Sequence, residues 1–219
     1  MDNFKILIPD LINAFIETFQ MLGISLTCAA VFGIPLGLFI YTTDRGLFFE
    51  NRIINSISGF TVNIIRSVPF VILLVLLLPF TQIAIGTTIG PLAASVPLSV
   101  AAVAFYARLV EASLREIDHG VIEASHSMGA SPFQIIRYVL LAESMPGLIR
   151  GLTVTAISLV GYSAMAGIVG GGGVGDLAIR FGYYRYETNV MITTVVALIL
   201  LVQGVQSAGD YAAKKRDHT

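Results

Sequence analysis

The sequence predicts an all-α integral membrane protein with five transmembrane helices and a short cytoplasmic helix between the third and the fourth. Three observations predict this class. Of 219 residues, 55% are hydrophobic and only 12% are charged, whereas soluble domains carry about 25% charged residues. The mean hydropathy is +0.82. Five separate stretches are each long and apolar enough to cross a bilayer. We therefore treat residues 1–219 as a single transmembrane domain.

The five predicted spans follow from length and hydropathy. A spanning helix needs about 20 mainly apolar residues, because it rises about 1.5 Å per residue through about 30 Å of hydrocarbon. The stretches that satisfy this cover residues 18–42, 57–80, 91–114, 148–169 and 189–208. The first ten residues lack the basic start and long apolar core of a signal peptide, so we expect them to be retained as an interfacial stretch.

The distribution of basic residues predicts the orientation, since Lys and Arg concentrate in cytoplasmic loops. Five spans place the two termini on opposite sides of the membrane. The basic residues that a cytoplasmic C-terminus puts inside are Arg45, Arg52, Arg115, Arg137, Lys214, Lys215 and Arg216, and those that it puts outside are Lys5, Arg180 and Arg185. This excess predicts an N-out, C-in topology, in which residues 115–146 form a cytoplasmic loop.

The net charge argues against a nucleic-acid partner, and the cysteine content excludes an intrachain disulfide. The net charge of −1 gives no basic surface for a nucleic acid, so the lipid bilayer is the expected environment and no nucleic-acid partner is predicted. Cys28 is the single cysteine, so the chain cannot form an intrachain disulfide. We interpret Cys28 as a packing residue.

The 115–146 loop has a pattern typical of two short helices joined by a sharp turn. The first is predicted over about residues 120–128, and Gly129 is placed to adopt the left-handed conformation that ends a helix. Ser131 can cap the next helix, and Pro132 suits its first turn. The side of the first helix that could meet a partner carries Glu123, Ala124, Ser127 and Met128. Such a helix can dock in a groove of another protein or simply connect two spans, and both interpretations are open.

The residues Glu123-Ala124-Ser125, followed after three positions by Gly129, resemble the EAA loop of ABC importer permeases, a motif specific to that class. The loop differs from the family pattern at Ser125, where Ala is usual, and at Ala142, where many members have Pro. The resemblance implies a coupling helix that docks in a groove of a cytoplasmic ATPase. The docking residues would be Glu123, Ala124, Ser125, Ser127, Met128 and Gly129.

A similarity over nearly the whole chain narrows this resemblance. Residues 66–70, 129–132, 146–153 and 158–183 resemble permeases of the methionine-importer type. This implies a non-catalytic permease subunit in the bacterial cytoplasmic (inner) membrane, carrying methionine or a close amino acid, with another small polar solute as the alternative. The implied partners are a second copy of the chain, two ATPase subunits that hold ATP and Mg, and an extracytoplasmic substrate-binding protein or lipoprotein. The chain itself would hold no cofactor and no metal.

The fourth predicted span contains a candidate gate. Between Gly161 and Gly167 it mixes glycines with Tyr162, Ser163 and Met165, so it can bend and it carries a flexible thioether among small residues. The family places its translocation path around this helix, which favours a gate near a twofold axis. Met165 would then close the path, and Tyr162 and Ser163 would line it. A tightly packed helix with Met165 as a filler is the alternative.

Small residues four positions apart also occur in two of the predicted spans. The pairs are Gly33 with Gly37, Ser163 with Gly167, and Ala166 with Gly170. Such pairs permit close backbone approach between helices, either within the chain or across a subunit interface.

A glycine-rich run over residues 170–175 raises the question of a phosphate-binding loop. A Walker loop needs Lys followed by Ser or Thr after its last Gly, but Asp176 and Leu177 stand there, and an acidic residue repels phosphate. We interpret the run as a turn that opens an outer loop over residues 176–187. By the resemblance, Arg180, Tyr183 and Arg185 are candidate contacts for the binding protein; a plain solvated loop is the alternative.

Two ionisable residues lie near predicted span borders. Arg66 is expected near the cytoplasmic end of the second span, where its side chain can extend to the interface or can face a partner or water. Glu17 is expected at the outer interface with no function.

Two other classes of function fit the sequence less well. A secondary transporter tends to have inverted repeats and ionisable residues at the midplane, but five spans do not halve and we place no acidic residue or histidine deep in a span. An intramembrane hydrolase needs a nucleophile paired with a base. The predicted topology instead places His119, His126 and His218 in the cytoplasm, away from Ser163.

Overall fold

The computed structural model of the protein describes residues 2–216, with side chains from residue 8 onward, so His218 lies outside the described part. All regular secondary structure in that part is helical, in agreement with the predicted all-α class. Four described helices are long and apolar enough to cross a bilayer, and a bent helix pair gives a fifth candidate span.

The first span is longer than the sequence predicts. Helix α1 covers Asp2–Cys28, continues through a π-helical turn at Ala29–Gly33, and leads into α2 over Ile34–Thr42. The helix therefore includes the stretch that we expected to be interfacial. A row of exposed apolar side chains on α1, formed by Ile8, Ile12, Ile16 and Phe19, gives it a surface suited to lipid.

The sequence predicts one continuous spanning helix over residues 57–80, and this prediction is wrong. Helix α3 covers Arg52–Ser67 and α4 covers Phe70–Ile85, and their axes differ by 108°. Between them Val68 is extended, with φ −79° and ψ 126°, because a residue that precedes proline is disfavoured in the helical region. Pro69 then starts α4 without an N–H of its own.

Helix α5, over Pro91–Arg115, is the centre of the bundle. It packs against α1, α2, α3, α4 and the later helix α9, and its Leu98, Val110 and Leu114 are fully buried. Gly37 of α2 meets it closely, since an added Cβ would lie 2.6 Å from the Ala107 carbonyl oxygen. This small residue therefore serves packing within the chain.

The loop between α5 and the next long helix is folded throughout. Helix α6 covers His119–Ser127 and α7 covers Pro132–Ile135. A π-helical turn at Ile136–Leu140 and α8 at Leu141–Glu143 continue the path. Buried Ile117, Ile122, Ile135 and Leu140 connect this segment to the main core, so α6 has a fixed place at one end of the bundle.

The remaining helices complete the bundle. Helix α9 covers Met145–Gly167, α10 covers Gly173–Leu177 with a π-helical continuation at Ala178–Tyr183, and α11 covers Thr188–Lys214. The short α10 lies directly against α9, because an added Cβ on Gly167 would be 2.5 Å from the Asp176 nitrogen. Like Gly37, Gly167 thus permits a close contact inside the chain.

Candidate coupling helix and membrane pathway

Local capping fixes both ends of α6. The Asp118 side chain accepts a hydrogen bond from the Gly120 N–H at 2.7 Å, which satisfies one of the free amides at the start of the helix. At the other end, the Gly129 N–H donates to the His126 carbonyl and the Ala130 N–H to the Ser125 carbonyl. With φ of +86° at Gly129, this is a Schellman ending. The predicted glycine stop is confirmed.

The helix after the turn also begins as predicted. The Ser131 hydroxyl accepts from the Gln134 N–H, and the Gln134 side chain accepts from the Ser131 N–H, which together form a capping box. Pro132 occupies the first turn. Because both ends of the joint are capped, α6 and α7 keep a defined angle to each other.

The predicted docking residues do not all share one face. Glu123, Ala124, Ser127, Met128 and Gly129 are exposed, and the exposed fraction of Met128 is 82%. Ser125 is buried, and its hydroxyl donates to the Val121 carbonyl at 2.8 Å. It lies on the inner side of α6 beside Ile122, so it is not available to a partner as the sequence analysis expected.

An acidic cavity adjoins α6 where α5 ends and α9 begins. It has a volume of about 320 Å³ and includes Glu116, Asp118, Glu143 and Arg150 in its lining. Val121 of α6 also lines the cavity, so the three carboxylates adjoin the start of that helix. Three carboxylates against one arginine give the cavity lining a net negative charge.

A buried ionic network holds the same end of α5. Glu111 is only 5% exposed, and its carboxylate accepts hydrogen bonds from Arg108 and from Arg115. Arg115 also donates to Asp44, just after α2, at 2.6 Å. This hydrogen bond holds the pKa of the Asp44 carboxyl below its usual range, and the Arg45 N–H adds to the shift.

Glu111 is a residue that sequence reasoning missed. It lies within the third predicted span, in which we placed no acidic residue deep. The signal that could have found it is the spacing of Arg108, Glu111 and Arg115, since residues three and four apart are neighbours on a helix.

The structure separates the three predicted gate residues. Met165 is 42% exposed on the surface of α9. Tyr162 is half-buried and stacks on Phe70 of α4, with ring centroids 4.7 Å apart and planes inclined by 10°. Ser163 is buried, and its hydroxyl donates to the Val160 carbonyl at 2.8 Å. Ser163 therefore does not line a path along the surface of this chain.

The glycine-rich run begins a short helix, and two of the amides at its start already have acceptors within the chain. The Gly173 N–H donates to the Glu17 carboxylate at 2.7 Å, and the Val174 N–H donates to the Thr18 hydroxyl at 3.0 Å. A carboxylate of the chain itself stands where a phosphate would bind to a phosphate loop. Glu17 therefore has a structural function, contrary to our expectation, and the run is a capped turn.

The segment after α10 gathers cationic and aromatic side chains. The guanidinium carbons of Arg180 and Arg185 lie 5.1 Å and 4.5 Å from the centroid of the Phe181 ring. Arg180 also pairs with Asp176 at 3.1 Å. Burial raises the pKa of Asp176, Arg180 opposes that shift and Glu17 adds to it.

Exposed tyrosines extend this surface beyond the predicted residues. Tyr183 is 62% exposed and packs edge-on against Tyr184, which sequence analysis did not single out. Tyr186 is more exposed still and has a φ of +56°. Three tyrosines within four positions were the available signal, since exposed aromatic side chains concentrate in interaction surfaces and at membrane interfaces.

Comparison with known proteins decides the family. The family model described as the inner membrane component of binding-protein-dependent transport systems matches residues 33–215. The chain belongs to this family. It is an inner-membrane transport component and not an enzyme.

Two curated relatives resemble the chain over almost its full length. The probable D-methionine transport system permease protein MetI of Vibrio cholerae is 48% identical over 208 residues, which cover 95% of this chain and 92% of that protein. The methionine import system permease protein MetP of Bacillus subtilis is 47% identical over 203 residues, covering 93% and 91%. The similarity therefore includes α6 and the helices around it.

A solved structure has the same fold. A chain of the MetNI methionine ABC transporter in an inward-facing conformation superposes with a TM-score of 0.95 and 45% identity, covering 97% of this chain and 98% of that one. The architecture described here is thus close to that of a chain of that transporter.

Proposed function

We propose that the chain is the membrane-spanning permease subunit of an ATP-driven methionine importer. The observation that carries the proposal is its near-full-length similarity to permeases named for methionine transport, together with the same fold as a chain of a methionine ABC transporter. The importer would contain two copies of this chain, two ATPase subunits that hold ATP and Mg, and an extracytoplasmic protein that delivers the cargo.

The proposed coupling element is α6. Its Met128 side chain is exposed, while Ile122 anchors its other side in the core. A helix that is rigid at both capped ends and exposed along one face can follow the motion of a partner. ATP would act through its different affinities for the open and the closed arrangement of the ATPase pair.

The proposed orientation places α6 in the cytoplasm, with the N-terminus outside. The excess of basic residues at that end of the bundle supports it, as does the need of an ATPase for cytoplasmic ATP. The opposite end, with Arg180, Tyr183 and Arg185, would then face the binding protein.

The experiment is co-purification of the chain with its ATPase. We expect Gly129→Pro and Glu123→Arg to abolish the association, because the first distorts the helix ending and the second alters charge on the docking face. Asp10→Arg is the matched charge reversal on the exposed side of α1, and it should leave the complex intact. Retained association in both α6 variants would refute α6 as the docking element.

The proposed path lies between two copies, with Met165 near the twofold axis. Replacing Cys28 by Ser gives a cysteine-free background, to which Met165→Cys can be added. We expect an oxidant to link two Met165→Cys chains into a covalent dimer. Ile12→Cys, on an exposed face of α1, is the control and should stay monomeric. If Met165→Cys does not cross-link in any nucleotide state, Met165 does not lie at the axis.

A further inference from the structure

Arg66 lies at the break in the second span, level with the middle of the central helix. It is in the last turn of α3, and its guanidinium carbon is 5.8 Å from the centroid of the Phe105 ring. Phe105 stands near the middle of α5, about 15 Å along the helix from Arg115. Arg66 is therefore far from the interface at which the sequence analysis placed it.

The Arg66 side chain is exposed and forms no hydrogen bond or ion pair with the described residues. Arg108 provides a contrast on the same seam between α3 and α5. Its guanidinium pairs with Glu111 and donates to the Gly59 carbonyl and the Asn63 side chain. A guanidinium has five N–H donors, and an unpaired charge at membrane depth needs an anion or water to face it.

Beside Arg66 is a cavity of about 130 Å³ with aromatic walls. Its lining contains Phe70, Phe105 and Tyr162, together with the apolar side chains of Ile65, Val68, Leu73 and Ala101. This volume is about ten times the roughly 10–15 Å³ of such space that one water molecule needs, so it can hold a small side chain. The stacked pair of Phe70 and Tyr162 fixes one wall.

We propose that this pocket binds the transported amino acid inside the membrane domain, with Arg66 on its carboxylate and the aromatic walls around its side chain. A guanidinium matches a carboxylate with two parallel hydrogen bonds. Aromatic rings make favourable contacts with a thioether. Helix α4 begins at Phe70 beside Arg66, so the positive end of its dipole acts on the same anion. The choice of methionine as cargo rests on the proposed function.

The pocket offers contacts to the carboxylate and the side chain of the cargo but not to its α-ammonium group. No carboxylate is among the described residues that line it, so the α-ammonium group of the cargo has no fixed partner there. The carboxylate and the side chain are held by two contacts, and two contacts do not define handedness.

Photolabelling tests this directly. The full complex of permease and ATPase in lipid nanodiscs is irradiated with a diazirine analogue of methionine, and labelled residues are mapped by mass spectrometry. We expect label on Phe70, Phe105 or Tyr162. Excess methionine should compete, whereas methioninol, which lacks the carboxylate, should not. In Arg66→Gln the labelling should fall about ten- to a hundredfold, the usual effect of losing a charge-assisted hydrogen bond. Arg66→Lys should retain part of it.

The controls separate this inference from the proposed function. Arg66→Gln must still co-purify with the ATPase and unfold at the wild-type temperature, which shows that the variant is folded. Wild-type proteoliposomes with the binding protein must take up methionine; if they do not, the proposed function fails. If they do, then equal labelling in Arg66→Gln, equal competition by methioninol, or no label in the pocket in any nucleotide state overturns the pocket.

Discussion

The backbone N–H of Gly173 donates a hydrogen bond of 2.7 Å to the carboxylate of Glu17, which is 156 positions away in the chain. An added Cβ on the neighbouring Gly172 would lie 2.5 Å from the same carboxylate, so the glycine-rich run leaves just enough room for it. This contact ties the first span to the short helix after α9. It also means that the Glu17 carboxylate binds an amide of a glycine-rich run that resembles a phosphate-binding loop.

Glu17→Ala should therefore destabilise the protein by about 1–3 kcal/mol, because a partly buried N–H loses its acceptor. Glu17→Gln keeps a carbonyl acceptor and loses only the charge, so its effect should be smaller. Thermal unfolding in detergent measures both. Asp10→Asn, at an exposed acid on the same helix, is the control. An unfolding temperature of Glu17→Ala equal to that of Asp10→Asn would contradict the capping function.

Glu111→Gln should cost about 3 kcal/mol or more of stability, because it leaves two arginines beside a buried site without their shared counter-charge. The matched control is Glu116→Gln, an exposed acid five positions further on, for which a change below about 0.5 kcal/mol is expected. Thermal unfolding with tryptic digestion of the folded state compares the two. Equal stabilities would show that the network contributes little.

Gly129→Ala should weaken ATPase coupling without unfolding the bundle. At φ +86° an alanine costs about 1 kcal/mol or more, which changes how α6 ends. We expect lower stimulation of ATP hydrolysis by the cargo-loaded binding protein. Gly204→Ala in α11 is the control, since no atom lies within 4 Å of the added Cβ and alanine favours a helix. Full stimulation in Gly129→Ala would argue against a coupling function of this ending.

The Asp44–Arg115 pair predicts a pH dependence of stability. The pKa of Asp44 is lowered from its usual value of 3.8, first by the hydrogen bond from Arg115. The folded state therefore favours the ionised form. The contribution is complete above the unfolded pKa and is lost as the pH falls through the lower, folded pKa.

Asp44→Asn should accordingly lower the unfolding temperature at pH 7 and make progressively less difference below about pH 4. Because Asp44 is only partly buried, the effect at pH 7 should be below about 1 kcal/mol. Unfolding curves of wild type and variant at several pH values measure it. If the difference in unfolding temperature between wild type and variant increased toward low pH, the predicted sign would be wrong.

Local features of the fold could be predicted because they depend on neighbours in sequence. The stop at Gly129 and the cap at Ser131 with Pro132 need only the chemistry of a few adjacent residues. Hydropathy likewise locates long apolar stretches, which is why predicted spans and observed helices overlap. The break at Val68 and Pro69 had a local signal too, in the restriction that proline places on the preceding residue. Hydropathy averages over that signal.

Burial of single side chains could not be predicted in the same way. Ser125 was assigned to the docking surface by its place in the EAA motif, and Ser163 to the path by its place in the glycine-containing stretch of the fourth span. Both are buried and bond to their own helices. Which side of a helix is inner depends on which other helices contact it. In a membrane protein the lipid-facing side is as apolar as the core, so hydrophobic periodicity does not separate the two.

By itself the sequence determined that this is a helical membrane protein of the importer class, and where its short connecting helix starts and stops. Only the tertiary structure decided that Glu17 caps a distant helix, that Glu111 is buried between two arginines, and that Arg66 lies beside the middle of α5. The physical reason is that the former follow from interactions within one or two turns of helix. The latter arise only when segments far apart in the chain come into contact.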